Sequence, residues 1–175
     1  MNFESVPLLM HGRTWPEMPV GFQFRTDGRT ITETDLISFV SLAGVNEPLF
    51  FDERFGQANG YAGRLVPGMM TFSYAEGLVI QTGSIHGTGL AFLHMELDIK
   101  APTFVGDTIA VVVEVTESRA ASSGNRGLVT TRNTVFKQDG TVVMVYSPVR
   151  LTKGTSEDTR VARPATSEDT RVGRE

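Results

Sequence analysis

Cysteine is absent from this chain of 175 residues. Without cysteine the protein can have no disulfide bridge, no thiolate nucleophile and no cysteine-ligated zinc. Positive charge is also in deficit, because 20 Asp and Glu outnumber 16 Lys and Arg and the net charge is -4 at pH 7. A protein of that charge does not attract a nucleic-acid backbone, so we expect no nucleic-acid partner.

Long apolar runs are missing as well. No run approaches the roughly 18 residues that a membrane-spanning helix requires, so we expect no membrane association. The short apolar run from Val6 to Met10 has no basic region before it and is not typical of a secretory signal. These absences together favour a cytoplasmic protein.

Motifs for metals and redox cofactors are not found either. The sequence has no HExxH segment, no EF-hand pattern and no carboxylate cluster at ligand spacing, so it predicts no metal site. The segment GTGLAF at 87–92 lacks the third glycine and the strand-to-helix context of a dinucleotide fingerprint. We therefore expect no nicotinamide or flavin cofactor.

Composition divides the chain into one domain and a tail. With 40% hydrophobic and 21% charged residues, the chain is typical of a globular protein, and we place its single domain at residues 1–153. The segment 154–175 contains TSEDTRV twice, at 155–161 and at 166–172, and almost no large apolar residue. Such a segment cannot offset its own ordering entropy, so we interpret it as a polar tail that arose by tandem duplication.

Two helical patterns precede a series of strands. The first, TETDLISFVSLAG at 32–44, has Thr32 or Thr34 as candidate N-cap and Gly44 as its end. The second, VPGMMTFSYAEGLVIQTG at 66–83, begins near Pro67 and ends at Gly83. This second segment is apolar on nearly all sides, which predicts a helix buried at the centre of the domain.

From Leu90 the hydrophobic period changes to two. In LAFLHMELDIK, at 90–100, apolar residues from Ala91 to Ile99 alternate with polar ones, which predicts a half-buried strand. Strands are also predicted at 107–119 and 127–138, and a hairpin at Asp139-Gly140 leads into a last one at 141–151. We predict an α+β fold in which an antiparallel sheet curls around the central helix.

Three segments carry a family resemblance. APTFVGDTI at 101–109 is similar to AP-x-x-x-GDT, RLVPGMMT at 64–71 to R-I-A-H-G-M-L-T, and GVNEPLFFD at 44–52 to G-D-x-N-P-x-H-x-D. All three patterns belong to the MaoC-like hydratases and dehydratases, a branch of the hotdog-fold superfamily. The resemblance covers roughly residues 20–153 and implies a hotdog fold, with a curved antiparallel sheet wrapped around a central helix.

The resemblance also implies an acyl-thioester site. In the family an Asp and a His act on the water that adds to a trans-2-enoyl-CoA, and the amide of a glycine at the start of the central helix binds the thioester oxygen. Gly68 matches that glycine. The Asp and His positions are occupied here by Val45 and Phe50, which have neither a lone pair nor an exchangeable proton. The usual acid-base pair is therefore missing.

Glu47 is the nearest candidate for the missing base, because it lies two residues after Val45 in the same loop. If the loop turned it inward beside Leu49, Phe50 and Phe51, partial burial would raise its pKa toward a useful range. The alternative is that Glu47 caps the loop or forms an ion pair at the surface. The sequence leaves both possibilities open.

Glu76 is a second candidate, and it implies another reaction. The central helix is also similar to the HGG-x-x-F-x-L-A-D segment of hotdog acyl-CoA thioesterases, whose acidic residue lies eight positions after the first glycine and acts as nucleophile or base. Glu76 is eight positions after Gly68. A lone carboxylate in an apolar helix is costly to bury unless it is paired, so its alternative role is an ion pair with Arg64 or with an arginine of a partner chain.

The family's substrate tunnel lies between two protomers, so the resemblance implies a homodimer or a dimer of dimers. Residues expected to contact the substrate are Val45, Phe50, Pro67, Met69 and His86. The first hypothesis is a lyase of the enoyl-CoA hydratase or dehydratase type. The second is an acyl-CoA thioesterase that uses Glu76, and the third is a subunit that binds an acyl thioester without catalysis.

Overall fold

The computed structural model describes residues 9–122 and 124–155. The helices are α1 Glu33–Ala43, α2 Pro48–Phe51, α3 Glu53–Ala58 and α4 Gly68–Gln81, and a 3-10 turn spans Trp15–Glu17. The strands are β1 Gln23–Arg25, β2 Arg29–Thr30, β3 Gly89–Ile99, β4 Thr108–Ala120, β5 Arg126–Lys137 and β6 Val142–Lys153. Most of the predicted polar tail at 154–175, including nearly all of the duplicated segment, lies outside the described residues.

The strands form one antiparallel sheet in the order β1-β4-β5-β6-β3, and β2 also pairs with β4. The predicted hairpin connects β5 to β6, and Gly140 at its tip has a φ of 84°, a value that glycine adopts without strain. This order leaves β3 at an edge of the sheet, with one side unpaired by the described chain.

Helix α1 begins and ends where the sequence signals indicate. Thr32, one of the two predicted N-caps, accepts a hydrogen bond from the Asp35 backbone N–H, and the Asp35 carboxylate binds the Thr32 N–H in return. This reciprocal capping box satisfies donors that the first helical turn leaves unpaired. Gly44 closes the helix in the left-handed conformation at a φ of 69°.

Helix α4 lies at the centre of the core, with the inner face of the sheet packed against it. Met70 and Ala75 of the helix share one buried cluster with Val111, Val135 and Tyr146 of the sheet. The arrangement is the predicted hotdog fold. The prediction that α4 is buried on most sides is only partly right, because the outer face of α4 exposes Met69 and Ile80.

Strand β3 departs from the predicted half-buried pattern. Its pairing with β6 shifts register between Phe92 and His94, which makes Leu93 the extra residue of a bulge. Phe92 packs edge-to-face on Phe72 of α4 but stays 47% exposed, and Leu93 is 55% exposed. Only Met95 and Leu97 of this strand are partly buried against the core. A bulge reverses the alternation, and the sequence pattern does not reveal it.

Candidate functional site

The amide of Gly68 begins the central helix and has no hydrogen-bond partner in the described part of the chain. Pro67 is the N-cap, and its carbonyl accepts hydrogen bonds from the N–H groups of Met70 at 2.9 Å and Thr71 at 3.1 Å. Within residues 9–122 and 124–155, no group accepts a hydrogen bond from the Gly68 N–H. Unpaired donors at a helix N-terminus, together with the helix dipole, attract a negatively polarised oxygen.

Ile99, the last residue of β3, lies directly over Gly68. A Cβ atom at position 68 would overlap the Cδ1 atom of Ile99 unless that side chain moved, so the close approach favours glycine. Ile99 is 60% exposed and Met69 is 55% exposed, so the side chains around the start of α4 are in contact with solvent.

At the two positions where the family has its acid-base pair, the loop before α4 carries apolar side chains. Val45 and Phe50 are both partly buried and pack against the main core cluster. That cluster includes Val66 and Met70, the residues that flank Pro67–Met69 in the chain. The expected contact of Val45 and Phe50 with a substrate stays a prediction. Neither side chain has a group that can transfer a proton.

Arg64 holds the backbone of this loop. Its guanidinium donates hydrogen bonds to the carbonyl of Phe50 at 2.9 Å and to that of Phe51 at 3.3 Å, at the end of α2. The same guanidinium forms an ion pair with Glu33 at 3.0 Å. Arg64 thereby joins the loop to the first turn of α1, and it does not pair with Glu76 as one hypothesis expected.

Glu47 is exposed at the N-cap position of α2. Its side chain makes no capping hydrogen bond, and the expected burial beside Leu49, Phe50 and Phe51 is not observed. The physical reason is that Phe50 occupies the inward position of the loop, which leaves Glu47 on the solvent side. Its role as a base stays a prediction. In that role, the Glu47 carboxylate would have to approach the substrate from the solvent side.

Glu76 lies near the middle of α4 in a paired and largely buried state. Its carboxylate accepts hydrogen bonds from Arg150 at 2.5 Å and from the Tyr146 hydroxyl at 3.0 Å. The exposed fractions of the side chains are 18% for Glu76 and 8% for Arg150. Burial, followed by the adjacent Glu76 carboxylate, raises the pKa of Tyr146, so this hydroxyl remains a donor at neutral pH. The counter-ion of Glu76 is therefore Arg150 of the same chain.

A cleft of about 380 Å³ opens beside this ion pair, between the second half of α4, the turn after it and the start of β3. Its lining includes Glu76, Ile80, His86, Leu90, Phe92 and Arg150. His86, predicted to contact substrate, is exposed at this cleft. Gly68 is not among the lining residues, and eight helical residues separate it from Glu76 by about 12 Å. The predicted site residues thus fall into two groups at opposite halves of α4.

Arg150 and Tyr146 were not singled out by the sequence patterns. Alternation along β6 could have identified them, because Met144, Tyr146 and Arg150 are all buried at even-numbered positions. An arginine on the apolar face of a strand needs a carboxylate partner. Glu76, the single charge of α4, is the partner that the fold supplies.

The described part of the chain contains no group of three or more His, Asp and Glu side chains that could hold a metal ion. The same residues include no helix with the length and apolar character needed to cross a membrane.

Comparison with known proteins assigns the family. The family model for the FAS1-like, dehydratase domain region matches residues 19–146. The (R)-specific enoyl-CoA hydratase of Aeromonas caviae is 29% identical over 115 residues, which cover 66% of this chain and 81% of that protein. The structure of the A. caviae (R)-hydratase covers 79% of this chain and 98% of its own, with 27% identity and a TM-score of 0.61.

A solved structure of lower identity shows the same fold. The MaoC-like dehydratase from Rhodospirillum rubrum superimposes with a TM-score of 0.75 over 83% of this chain and 99% of its own, at 20% identity. The family model covers most of the chain, and the architecture agrees with it. The chain belongs to the MaoC-like hydratases and dehydratases of the hotdog superfamily.

Proposed function

We propose that this protein binds an acyl thioester with the carbonyl oxygen on the Gly68 N–H and interconverts the enoyl and 3-hydroxyacyl forms by hydration and dehydration. The observation that carries the proposal is the unpaired Gly68 amide at an accessible helix N-terminus. The similar protein from Aeromonas caviae is an (R)-specific enoyl-CoA hydratase, which supports the same substrate class here. Where negative charge develops on the oxygen, removing such an amide donor typically lowers kcat about 10²- to 10³-fold.

In the hydration direction, the oxygen of water bonds to C3 of the enoyl group while a base takes one proton of that water. The electron pair of the C2–C3 double bond moves toward the thioester oxygen, where the Gly68 N–H stabilises the negative charge. The protonated base then gives that proton to C2, so the base is regenerated and the 3-hydroxyacyl thioester results. We assign the base to Glu47, because it lies between the two positions that lack the usual pair, whereas Asp52, the other carboxylate of the loop, caps α3. A poorly positioned base costs roughly 10² to 10⁴ in rate, so we expect slow turnover.

We further propose a homodimer, or a dimer of two such dimers, in which the β3 edges meet and the substrate lies near the interface. The 11-residue strand β3 is an edge strand, and it exposes Leu90, Phe92, Leu93 and Ile99. Long apolar edges of this kind pair readily with another strand. Met69 and Ile80 on the outer face of α4 extend the apolar surface beside this edge. A cytoplasmic location remains part of the proposal.

The thioesterase hypothesis requires a different use of Glu76. Within one chain this carboxylate lies about 12 Å along the helix from the Gly68 amide. It is also occupied by Arg150 and Tyr146. Thioester cleavage by Glu76 would need the Gly68 amide of a second copy and release from these two donors. The third hypothesis, binding without catalysis, is supported by the apolar Val45 and Phe50.

The decisive experiment removes the Gly68 N–H without removing the helix. Proline is tolerated at the first helical position, and Pro67, with φ -54° and ψ 138°, already has a conformation compatible with a following proline. Gly68→Pro and Gly68→Ala both add a Cβ atom, but only Gly68→Pro replaces the N–H, with the ring Cδ, so their difference reports the loss of the donor together with the space that the ring occupies. We expect crotonyl-CoA hydration to be about 10² lower in Gly68→Pro than in Gly68→Ala. Equal activity in the two variants would reject the role of the amide.

Two further variants separate the three hypotheses. The hydratase is supported if the wild type and Glu76→Gln consume crotonyl-CoA, measured as a fall in enoyl absorbance, and Glu47→Gln does not. Thiol release from a saturated acyl-CoA that disappears in Glu76→Gln supports the thioesterase. Measurable binding of an acyl-CoA with neither reaction supports the non-catalytic subunit.

A further inference from the structure

We propose that Lys137 and Asp107 are positioning residues for the thioester site, and that they act through the turn 101–107 on the backbone that carries Gly68. The inference deepens the proposed function and rests on it, because it takes the Gly68 N–H to bind the thioester carbonyl. It also gives a role to the segment APTFVGDTI at 101–109, which belongs neither to the loop before α4 nor to α4 itself.

The carboxylate of Asp107 closes this turn. Its Oδ2 atom accepts a hydrogen bond from the Phe104 backbone N–H at 2.8 Å. Its Oδ1 atom accepts one from the side-chain amide of Gln138 at 3.2 Å, and Gln138 follows β5 directly in the hairpin. An aspartate side chain that binds a backbone N–H three residues earlier holds a turn in one shape. The shape of the turn 101–107 therefore depends on where the Asp107 carboxylate lies.

Lys137, the last residue of β5, supplies the charge that this buried carboxylate needs. Its Nζ atom lies 3.2 Å from Oδ2 of Asp107, and the exposed fractions of the two side chains are 14% and 11%. A buried carboxylate that loses its cation has to move toward solvent or take up a proton. Hydrogen bonds to an ionised acceptor are roughly twice as strong as those to a neutral one, so either response weakens the bond to the Phe104 N–H.

The turn pairs with the stretch of chain that leads into α4. The Val66 N–H donates a hydrogen bond to the carbonyl of Thr103 at 2.9 Å, and the Val105 N–H donates one to the carbonyl of Arg64 at 3.0 Å. The two bonds flank an antiparallel bridge between the two stretches. The turn therefore fixes the segment 64–66 at both of its ends.

Little freedom separates this fixed segment from the Gly68 amide. Val66 and Pro67 are both buried. The ring of Pro67 restricts its φ, which is -54°, and Gly68 follows as the first residue of α4. A displacement of the Val66 backbone would consequently be passed on to the Gly68 N–H.

The same segment also controls the loop that holds the proposed base. Arg64 is tied to the turn through its carbonyl, and its guanidinium donates hydrogen bonds to the carbonyls of Phe50 and Phe51. Glu47 belongs to this loop. The turn thus sets the position of the Gly68 amide relative to the loop. A displacement of about 1 Å caused by a distant substitution can lower a rate 10²-fold.

Solution NMR of the full chain, labelled with ¹⁵N, measures the position of the amide without any turnover. The Gly68 resonance is identified because it is lost in Gly68→Ala. We expect Lys137→Met to move this resonance, since the turn and the Val66 backbone shift when the carboxylate loses its partner. Lys137→Arg keeps a cation beside Asp107 and should restore the wild-type resonance.

Two variants separate positioning from stability and from net charge. Val129→Ala removes two methyl groups from the second core cluster, so it should destabilise the protein and leave the Gly68 resonance in place. Arg119→Met removes a cation from the exposed pair with Glu117 and should also leave it in place.

A milder substitution covers the case in which Lys137→Met does not fold. Gln138→Ala removes an exposed side chain whose amide binds Asp107, so the fold should persist. The Gly68 resonance should then move in Gln138→Ala and stay in place in Arg119→Met.

Kinetics with crotonyl-CoA provide the second readout. We expect kcat to be about tenfold lower in Lys137→Met, which is part of the 10²- to 10³-fold loss that follows removal of such an amide donor. KM should stay within about twofold, because the affected contacts are made mainly in the transition state. Lys137→Arg should recover most of the lost kcat, and Val129→Ala should keep the wild-type value.

An unmoved Gly68 resonance in Lys137→Met would overturn the inference, and so would an equal movement in Val129→Ala. A higher KM with unchanged kcat in Lys137→Met would overturn it as well. A wild-type protein that does not hydrate crotonyl-CoA would reject the proposed reaction. The resonance alone would then decide whether Lys137 and Asp107 position the Gly68 amide.

Discussion

The Cδ1 atom of Ile99 occupies the space where any side chain at position 68 would place its Cβ atom. This contact joins the end of the edge strand β3 to the first residue of the central helix. Close approach therefore favours glycine at position 68, in addition to the proposed role of its amide. The two requirements can be separated, because only the first depends on Ile99.

Gly68→Ala is expected to destabilise the protein by about 1 kcal/mol, at the low end of overpacking costs, because Ile99 is exposed enough to move. Ile99→Val removes the Cδ1 atom, so Gly68→Ala/Ile99→Val should regain most of that loss. Urea unfolding of the four proteins in this cycle measures the coupling. Additive effects of the two substitutions would contradict the contact.

Local signals allowed much of this fold to be predicted from the sequence. The Thr32 cap, the Gly44 end and the Asp139-Gly140 hairpin each depend on neighbouring residues, and each is observed. The start of α4 at Gly68 follows from the proline before it. Such features arise from interactions within about four residues, which a sequence shows directly.

Features that depend on distant residues could not be predicted in this way. The partner of Glu76 is 74 residues away at Arg150, and Arg64, the arginine that the sequence suggested, holds Glu33 instead. The bulge at Leu93 depends on the register against β6 and reverses which residues of β3 face the helix. The outward position of Glu47 is settled by the packing of Phe50, which the loop motif does not specify.

The Glu76–Arg150 pair should show strong coupling in stability. Arg150→Met leaves the Glu76 carboxylate mostly buried with only the Tyr146 hydroxyl as partner, so we expect a loss of about 3 kcal/mol. Glu76→Leu/Arg150→Met removes both charges and should be within about 1 kcal/mol of the wild type. Chemical denaturation of the two variants tests this. A double variant as unstable as Arg150→Met would show that packing, rather than charge, dominates here.

Protonation of Asp35 at low pH should destabilise the protein by disrupting the capping box at the start of α1. The Thr32 backbone N–H, followed by the hydroxyls of Thr32 and Tyr74 and the charge of Arg29, lowers the pKa of Asp35 from 3.8 to about 2. The folded state therefore binds fewer protons than the unfolded state. The stabilisation is complete above pH 3.8 and is lost as the pH falls through about 2.

The measurement is urea unfolding between pH 4.5 and pH 2, for the wild type and for Asp35→Asn. We expect part of the wild-type loss of stability over this range to be absent in the variant. Asp27→Asn, at an exposed position between β1 and β2, serves as a control for general carboxylate effects. Parallel pH profiles for wild type and Asp35→Asn would exclude Asp35 as a source of the acid sensitivity.

Arg64 should affect both stability and acyl-CoA binding, because it holds the backbone of the loop before α4. Its guanidinium reaches two carbonyls and one carboxylate at once, a geometry that the single ammonium of lysine cannot reproduce. We expect Arg64→Lys to lose about 1 to 2 kcal/mol of stability and to weaken acyl-CoA binding, because the backbone at Phe50 and Phe51 is released. Glu33→Gln removes only the ion pair, so it should affect stability by less than Arg64→Lys and leave binding unchanged. If Glu33→Gln weakened binding as much as Arg64→Lys, the ion pair with α1 would be the determinant of loop position, and the two carbonyl contacts would not.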